Sequence, residues 1–212
     1  MQINVSKTSY MLFTRTQTDF ATRLRIDDVK IDQLSETKIC GVWNTDDLKW
    51  EKNTREIAKK AFARMSMLTK LKYVGVCTED LLDVYILFIR SLTEYCSVVW
   101  HSSLTLEDIN MLERVQKICL KVILGEMYVN YEAALEMCNI QTLYKRREDR
   151  CLNFAKKCLK HPVNKRMFPL NTAKHDLHEK SKEKFTVNIA KGEALKKSTI
   201  HYLQRRINQE LA

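Results

Sequence analysis

Gly and Pro together occupy only six of 212 positions: Gly41, Gly75, Gly125, Gly192, Pro162 and Pro169. Ordinary proteins devote about 12% of their residues to these two types. Proline removes a backbone donor and glycine loosens the chain, so a sequence this poor in both suits long helices joined by few turns. Collagen-like, Gly-rich, Pro-rich and many-stranded β architectures are excluded on the same ground. With 45% apolar and 29% charged residues, the chain can bury a real core without metals or disulfides.

The apolar pattern divides the chain. Over residues 1–45, short apolar runs such as Tyr10–Phe13 and Lys38–Trp43 alternate with polar clusters and read as strands. Leu24-Arg-Ile26 and Val29-Lys-Ile31 flank Asp27-Asp28, a pair tolerant of a hairpin turn. From residue 46 the period becomes helical, with Ile57, Ala61, Met65 and Leu68 at steps of four and three over a helix spanning 46–73 that Asp46-Asp47 would open. A second helix begins at Thr78, its stripe running through Leu81, Tyr85, Phe88, Leu92, Tyr95 and Val99. A third is capped by Thr105 and stopped by Gly125, with Leu112, Val115 and Cys119 inward. A short fourth covers 130–138, and a fifth runs from Thr142 to just before Pro162. The stretch 171–184 reads as polar and loose, with His175 and His178 in solvent, and an amphipathic segment spans 193–211. The expected architecture is mainly α: a small β hairpin or sheet (1–45), then a bundle of five or six helices comprising a helical domain (46–170) and a basic, partly helical tail (171–212).

Charge is uneven. Residues 1–140 carry 18 Lys/Arg against 19 Asp/Glu, while 141–212 carry 18 against 7, so the net charge of +10 belongs to the C-terminal third. Such a segment attracts polyanions, with nucleic acid the usual intracellular one and an acidic membrane surface the competitor. The fifth helix concentrates it: Lys145, Arg146, Arg147, Arg150, Lys156, Lys157 and Lys160 are placed on its exposed face. Phosphate contacts from such residues predict sequence-tolerant, salt-sensitive binding. The longest apolar run, Val84–Ile89, is far short of the roughly 20 residues of a membrane span. With no signal-like apolar stretch near Met1, the chain reads as cytoplasmic or nuclear, with no membrane partner. The seven cysteines form no CxxC, and Cys138, Cys151, Cys158 and His161 match no compact zinc spacing; Cys151 and Cys158 lie roughly 10 Å apart along one helix. No cofactor is expected.

Several ordered segments carry a resemblance. Asn4-Val-Ser-Lys7-Thr8, Lys38-Ile-Cys-Gly41-Val-Trp43, Asp47-Leu-Lys-Trp50, Tyr95-Cys-Ser-Val-Val-Trp100, Leu112-Glu-Arg-Val-Gln-Lys117, Ile123-Leu-Gly125 and Leu143-Tyr-Lys-Arg146-Arg147-Glu148 with Cys151–Lys157 follow one another across residues 4–170. In order and spacing they resemble the late palm and thumb of reverse transcriptases from non-LTR (LINE-type, jockey-like) retrotransposons. The resemblance implies an RNA-directed DNA polymerase whose thumb grips an RNA/DNA hybrid. It also implies that the carboxylates holding two Mg2+ ions about 4 Å apart lie upstream of the Asn-x-x-Lys-Thr segment, which here begins at residue 4. The chain is therefore expected to be inactive alone, with no catalytic residue assigned and nucleic-acid binding as its residual activity. Asp27-Asp28 follows the Lys-Thr motif instead of preceding it, so it reads as a surface turn.

The resemblance adds Lys7, near the incoming nucleotide's phosphates, and Gly41, in a strand against the primer end, to the candidate nucleic-acid residues Arg146, Arg147, Arg150, Lys156 and Lys157. Trp43, Trp50 and Trp100 sit in apolar surroundings and read as core anchors. Strands severed from a palm would expose an edge and favour self-association. A helical protein-interaction module, or the end of a longer working polymerase, are the alternative readings.

Overall fold

The computed structural model of the chain describes residues 3–13, 24–171, 184–187 and 192–211. His175 and His178, and most of the polar stretch around them, lie outside the described residues. The molecule is mainly helical, with a few short strands near the N-terminus followed by about six helices.

The strands pair locally. β1 (Ser9–Tyr10) lies parallel to β4 (Asp32–Gln33), and β2 (Arg25–Ile26) forms a hairpin with β3 (Val29–Lys30) around Asp27-Asp28. Both aspartates have positive φ, 48° and 62°, as a two-residue turn matching strand twist requires. β5 (Glu36–Ile39) and β6 (Val42–Thr45) form the second hairpin, in register Glu36↔Thr45 to Ile39↔Val42. Its turn is Cys40-Gly41, at φ 47° and 85°. Lys38–Trp43 is thus not one strand, and Gly41 is a turn residue, because only a chain reversal there lets Val42 enter the core.

α1 (Glu51–Tyr73) starts five residues later than the acid pair suggests. Asp46 and Asp47 belong to a turn: the Asp47 carboxylate accepts from the Thr45 hydroxyl (2.7 Å) and the Lys49 amide (3.1 Å), and Leu48 sits at φ 56°, which no helix continues through. The buried stripe of α1 is Thr54, Ala58, Ala61, Met65 and Leu68. It packs on α5 (Leu106–Leu124), whose Val115, Cys119, Leu120 and Ile123 complete the main core. Thr105 caps α5 in a reciprocal box with Asp108, and Gly125 closes it at φ 58°. α6 (Tyr131–Met137) closes the core with Tyr131 and Ala134.

The second helix is not continuous. α2 (Thr78–Val84) passes into a π-helical segment (Tyr85–Arg90), then α3 (Ser91–Glu94), a left-handed residue at Cys96 (φ 50°), and α4 (Ser97–Trp100) with a 3-10 turn, His101–Ser103. A π turn takes more residues per revolution, so Leu81, Tyr85, Ile89 and Thr93, four apart, share the buried face. Phe88, Tyr95 and Val99, expected inside, are exposed. Arg64 of α1 donates to the Phe88 carbonyl (2.5 Å) and stacks on its ring (4.3 Å). Trp100, fully buried, donates through Nε1 to the Tyr95 carbonyl across the break (3.1 Å). It joins Val42, Leu104 and Leu112 in a smaller cluster that seats the second hairpin. Trp43 and Trp50 are half-buried.

α7 (Leu143–Lys160) carries a satellite core: Cys151, Ala155 and Cys158 pack with Phe168, Phe185 and, from α9 (Thr199–Leu211), Leu203 and Ile207. α9, which follows the short α8 (Glu193–Lys196), is thus built into the helical body. Its buried Asn208 brackets the Phe185 backbone, accepting from N (3.0 Å) and donating to O (2.8 Å). Cys151 and Cys158 are packing residues; burial pushes the Cys151 thiol up to about 12. No helix among the described residues is long and apolar enough to cross a membrane.

Candidate nucleic-acid interface

α7 forms because Thr142 caps its first turn, its hydroxyl accepting from the Lys145 amide (3.2 Å), and because Leu143, Cys151, Ala155 and Cys158 give it an apolar stripe. Its cations divide into three groups with different roles.

The first group is latched. Glu94 of α3, buried at 5% exposure, accepts from Arg146, doubly, and from Arg150 (3.2 Å), with Arg90 at 3.8 Å. One carboxylate thus answers three guanidinium groups. Its hydrogen bond raises the Arg146 pKa, while burial and the neighbouring Arg146 lower that of Arg90. Lys156 pairs with Glu210 of α9 (2.7 Å), and Lys145 with Asp149 (3.0 Å). Arg146, Arg150 and Lys156 therefore tie α7 to α3 and α9 in addition to charging the surface.

The second group is Arg147 alone. It is not on the exposed face but fully buried, with its guanidinium 5.8 Å from the Trp100 ring. It cannot meet a duplex phosphate from there. The apolar stripe of α7 takes in this position because α4 and α9 both pack across it.

The third group is free. Lys157 and Lys160 on the last turns of α7, with Lys165 and Arg166 in the 3-10 turn Asn164–Met167 that folds against it, are exposed and have no ion-pair partner among the described residues. Cations at a helix C-terminus also complement its dipole. Of these, Lys165 and Arg166 escape a periodicity argument because they follow Pro162, outside the helix. Arg114, Lys117 and Lys121 form a second exposed stripe on α5, legible as the complement of its inward face. Lys117 lies over the Tyr131 ring at 4.8 Å.

The two N-terminal candidates stand apart from α7. Lys7 is exposed at the end of a 3-10 turn, Val5–Lys7, ahead of β1. Gly41 is exposed in the second hairpin turn, where an added Cβ would meet the Tyr95 ring at 3.4 Å. Tyr95 donates its hydroxyl to the Cys40 carbonyl (2.9 Å), pinning that turn to the helical body.

Behind these surfaces lies a closed polar network. Tyr85 donates to Gln116 Oε1 (2.5 Å), and Gln116 donates to the Tyr131 oxygen (2.8 Å) and the Gln141 carbonyl (3.0 Å). Tyr131 donates to Glu113 (2.6 Å), whose other oxygen accepts from the Tyr144 amide (2.6 Å). Among the described residues no three Asp, Glu, His or Cys side chains gather where they could hold a metal ion. Comparisons with protein-family models, curated proteins and solved structures found no match.

Proposed function

We propose that these residues form a late-palm and thumb-like part of a non-LTR retrotransposon reverse transcriptase, acting in the cytoplasm or nucleus, and that their own share of its work is to hold an RNA/DNA hybrid or other nucleic acid by its phosphates. The observation that carries the binding reading is the exposed cluster Lys157, Lys160, Lys165 and Arg166 at the end of α7, which has no ion-pair partner among the described residues. Point charges of this kind neutralise phosphates and release counterions without reading base edges. Arg150, half of whose side chain is exposed, extends the cluster along the helix. Lys7 and Gly41 enter through the resemblance alone. No catalytic carboxylate is assigned among these residues, and the chain by itself is proposed to be inactive as a polymerase. Self-association belongs to the same reading, since Ile3, Val29 and Ile39 are exposed around the N-terminal strands.

The test is hybrid binding by the full chain with Lys157, Lys160, Lys165 and Arg166 reversed to Glu. The reading expects a large affinity loss, equal for unrelated sequences, with thermal stability retained. Unchanged affinity would remove this cluster from the interface. Reversing Arg146, Arg147 and Arg150 is a poorer test, since it breaks the Glu94 latch and buries a carboxylate in place of the Arg147 guanidinium.

A second reading, a helical protein-interaction module, is favoured by the exposed apolar residues Tyr73, Val74, Met127 and Val129 near the ends of α1 and α5, which the Lys72 bond to the Ile123 carbonyl (2.9 Å) draws together. It predicts partner binding that is insensitive to salt.

A further inference from the structure

Arg147 has five N–H donors, no solvent exposure, and no hydrogen-bond acceptor for Nε, Nη1 or Nη2. The carboxylates that act on it through space are committed elsewhere: Glu113 to Tyr131 and the Tyr144 amide, Glu94 to Arg146 and Arg150. Other buried polar atoms near Arg147 are equally unpartnered among the described residues: His101 Nδ1 and Ser102 Oγ on the turn after α4, and Tyr202 Oη and Arg206 Nε on α9. The rest of the Arg206 guanidinium donates to Gln209 (3.1 Å) and lies 3.6 Å from the Glu148 carboxylate. Ring contacts bring two of them together, since His101 lies 5.1 Å from Tyr144 of α7 and 5.8 Å from Tyr202 of α9. Burial, then the charges of Arg147 and Arg206, push the His101 pKa down to about 4, so the imidazole is neutral.

A buried guanidinium left without an acceptor forfeits its hydration and gains nothing in return. Water would satisfy its donors but leave the charge. A planar fork flanked by hydroxyl donors is matched by the oxygens of a phosphate-like anion. We propose that the junction of α4, α7 and α9 binds a small phosphate-class oxyanion, held by Arg147 with Tyr202 and Arg206. The rim is the half-buried Ser102, Tyr202 and Arg206. A duplex backbone is too bulky to reach the enclosed Arg147, so this site is separate from the proposed nucleic-acid interface.

The test follows thermal stability of the full chain as inorganic phosphate replaces chloride at constant ionic strength. Wild type should gain several degrees in a saturable way. Tyr202→Phe, which removes one donor and keeps the ring, should shift the midpoint to severalfold higher phosphate, and Arg147→Met should abolish the response. A 5′-phosphorylated oligonucleotide and its unphosphorylated twin should not differ in their effect, which separates free phosphate from nucleic-acid ends; a difference would overturn the free-anion assignment. Phosphate should also raise the NMR-titrated pKa of His101 by placing negative charge beside it. A wild type indifferent to phosphate, or a Tyr202→Phe variant responding as wild type does, overturns the proposal even if Arg147→Met fails to fold. Loss of hybrid binding in either variant is not expected, so this inference can fail without the proposed function failing.

Discussion

Acidification probes His101, which is 4% exposed and flanked by Tyr144, Tyr202, Arg147 and Arg206. Its ordinary pKa of 6.5 falls to about 4 in the fold, first because burial disfavours the imidazolium and then because two guanidinium charges repel it. Between those values the unfolded chain binds a proton that the native state refuses. The resulting stability is complete above about pH 6.5 and drains away as pH falls toward 4. At 1.36 kcal/mol per unit, the full loss is about 3 kcal/mol. Urea denaturation of wild type and His101→Phe in chloride buffers from pH 7 to pH 4 measures it. Carboxylates titrate in both proteins and cancel in the difference, so the wild-type curve should fall more steeply by that amount. Parallel curves, or an NMR-titrated His101 pKa near 6.5, would refute burial beside Arg147 and Arg206 as what governs His101.

Two further perturbations test the packing that presents α7. Gln116→Leu leaves the Tyr85 hydroxyl and the Gln141 carbonyl without their buried partner, while Tyr131 keeps Glu113, and should cost about 3 kcal/mol of unfolding free energy by urea titration. Gly41→Ala places a Cβ at φ 85° and 3.4 Å from the Tyr95 ring, and should lower stability by about 1 kcal/mol, whereas Gly41→Asn should cost less because Asn visits the left-handed region more readily.

What the sequence discloses is mostly local. The Asp27-Asp28 hairpin and the α5 boundaries at Thr105 and Gly125 depend on turn and cap chemistry within a few residues, and both stand as read. The Cys40-Gly41 turn is hidden because Ile39 and Val42 on either side make one apolar run, and because Cys40 adopts a left-handed conformation unusual for its type. The interruption of the second helix is invisible to a four-and-three stripe, since Arg64, 24 residues earlier, engages the Phe88 carbonyl. Likewise the charge run on α7 reads as one cationic face. Glu94, 52 and 56 residues away from Arg146 and Arg150, turns two of its members into a latch, and packing by α4 and α9 buries a third. Long-range partners of this kind leave no periodic trace.

The role proposed for the exposed cations at the end of α7 is to grip nucleic acid by its phosphates. The most direct measurement is the affinity of the full chain for two RNA/DNA hybrids of unrelated sequence across a series of salt concentrations. Four phosphate contacts predict that log K falls against log salt with a slope of about −3 to −4, the same for both hybrids, and that reversing the four cations to Glu flattens it. A slope near zero, or binding confined to one sequence, would contradict the account.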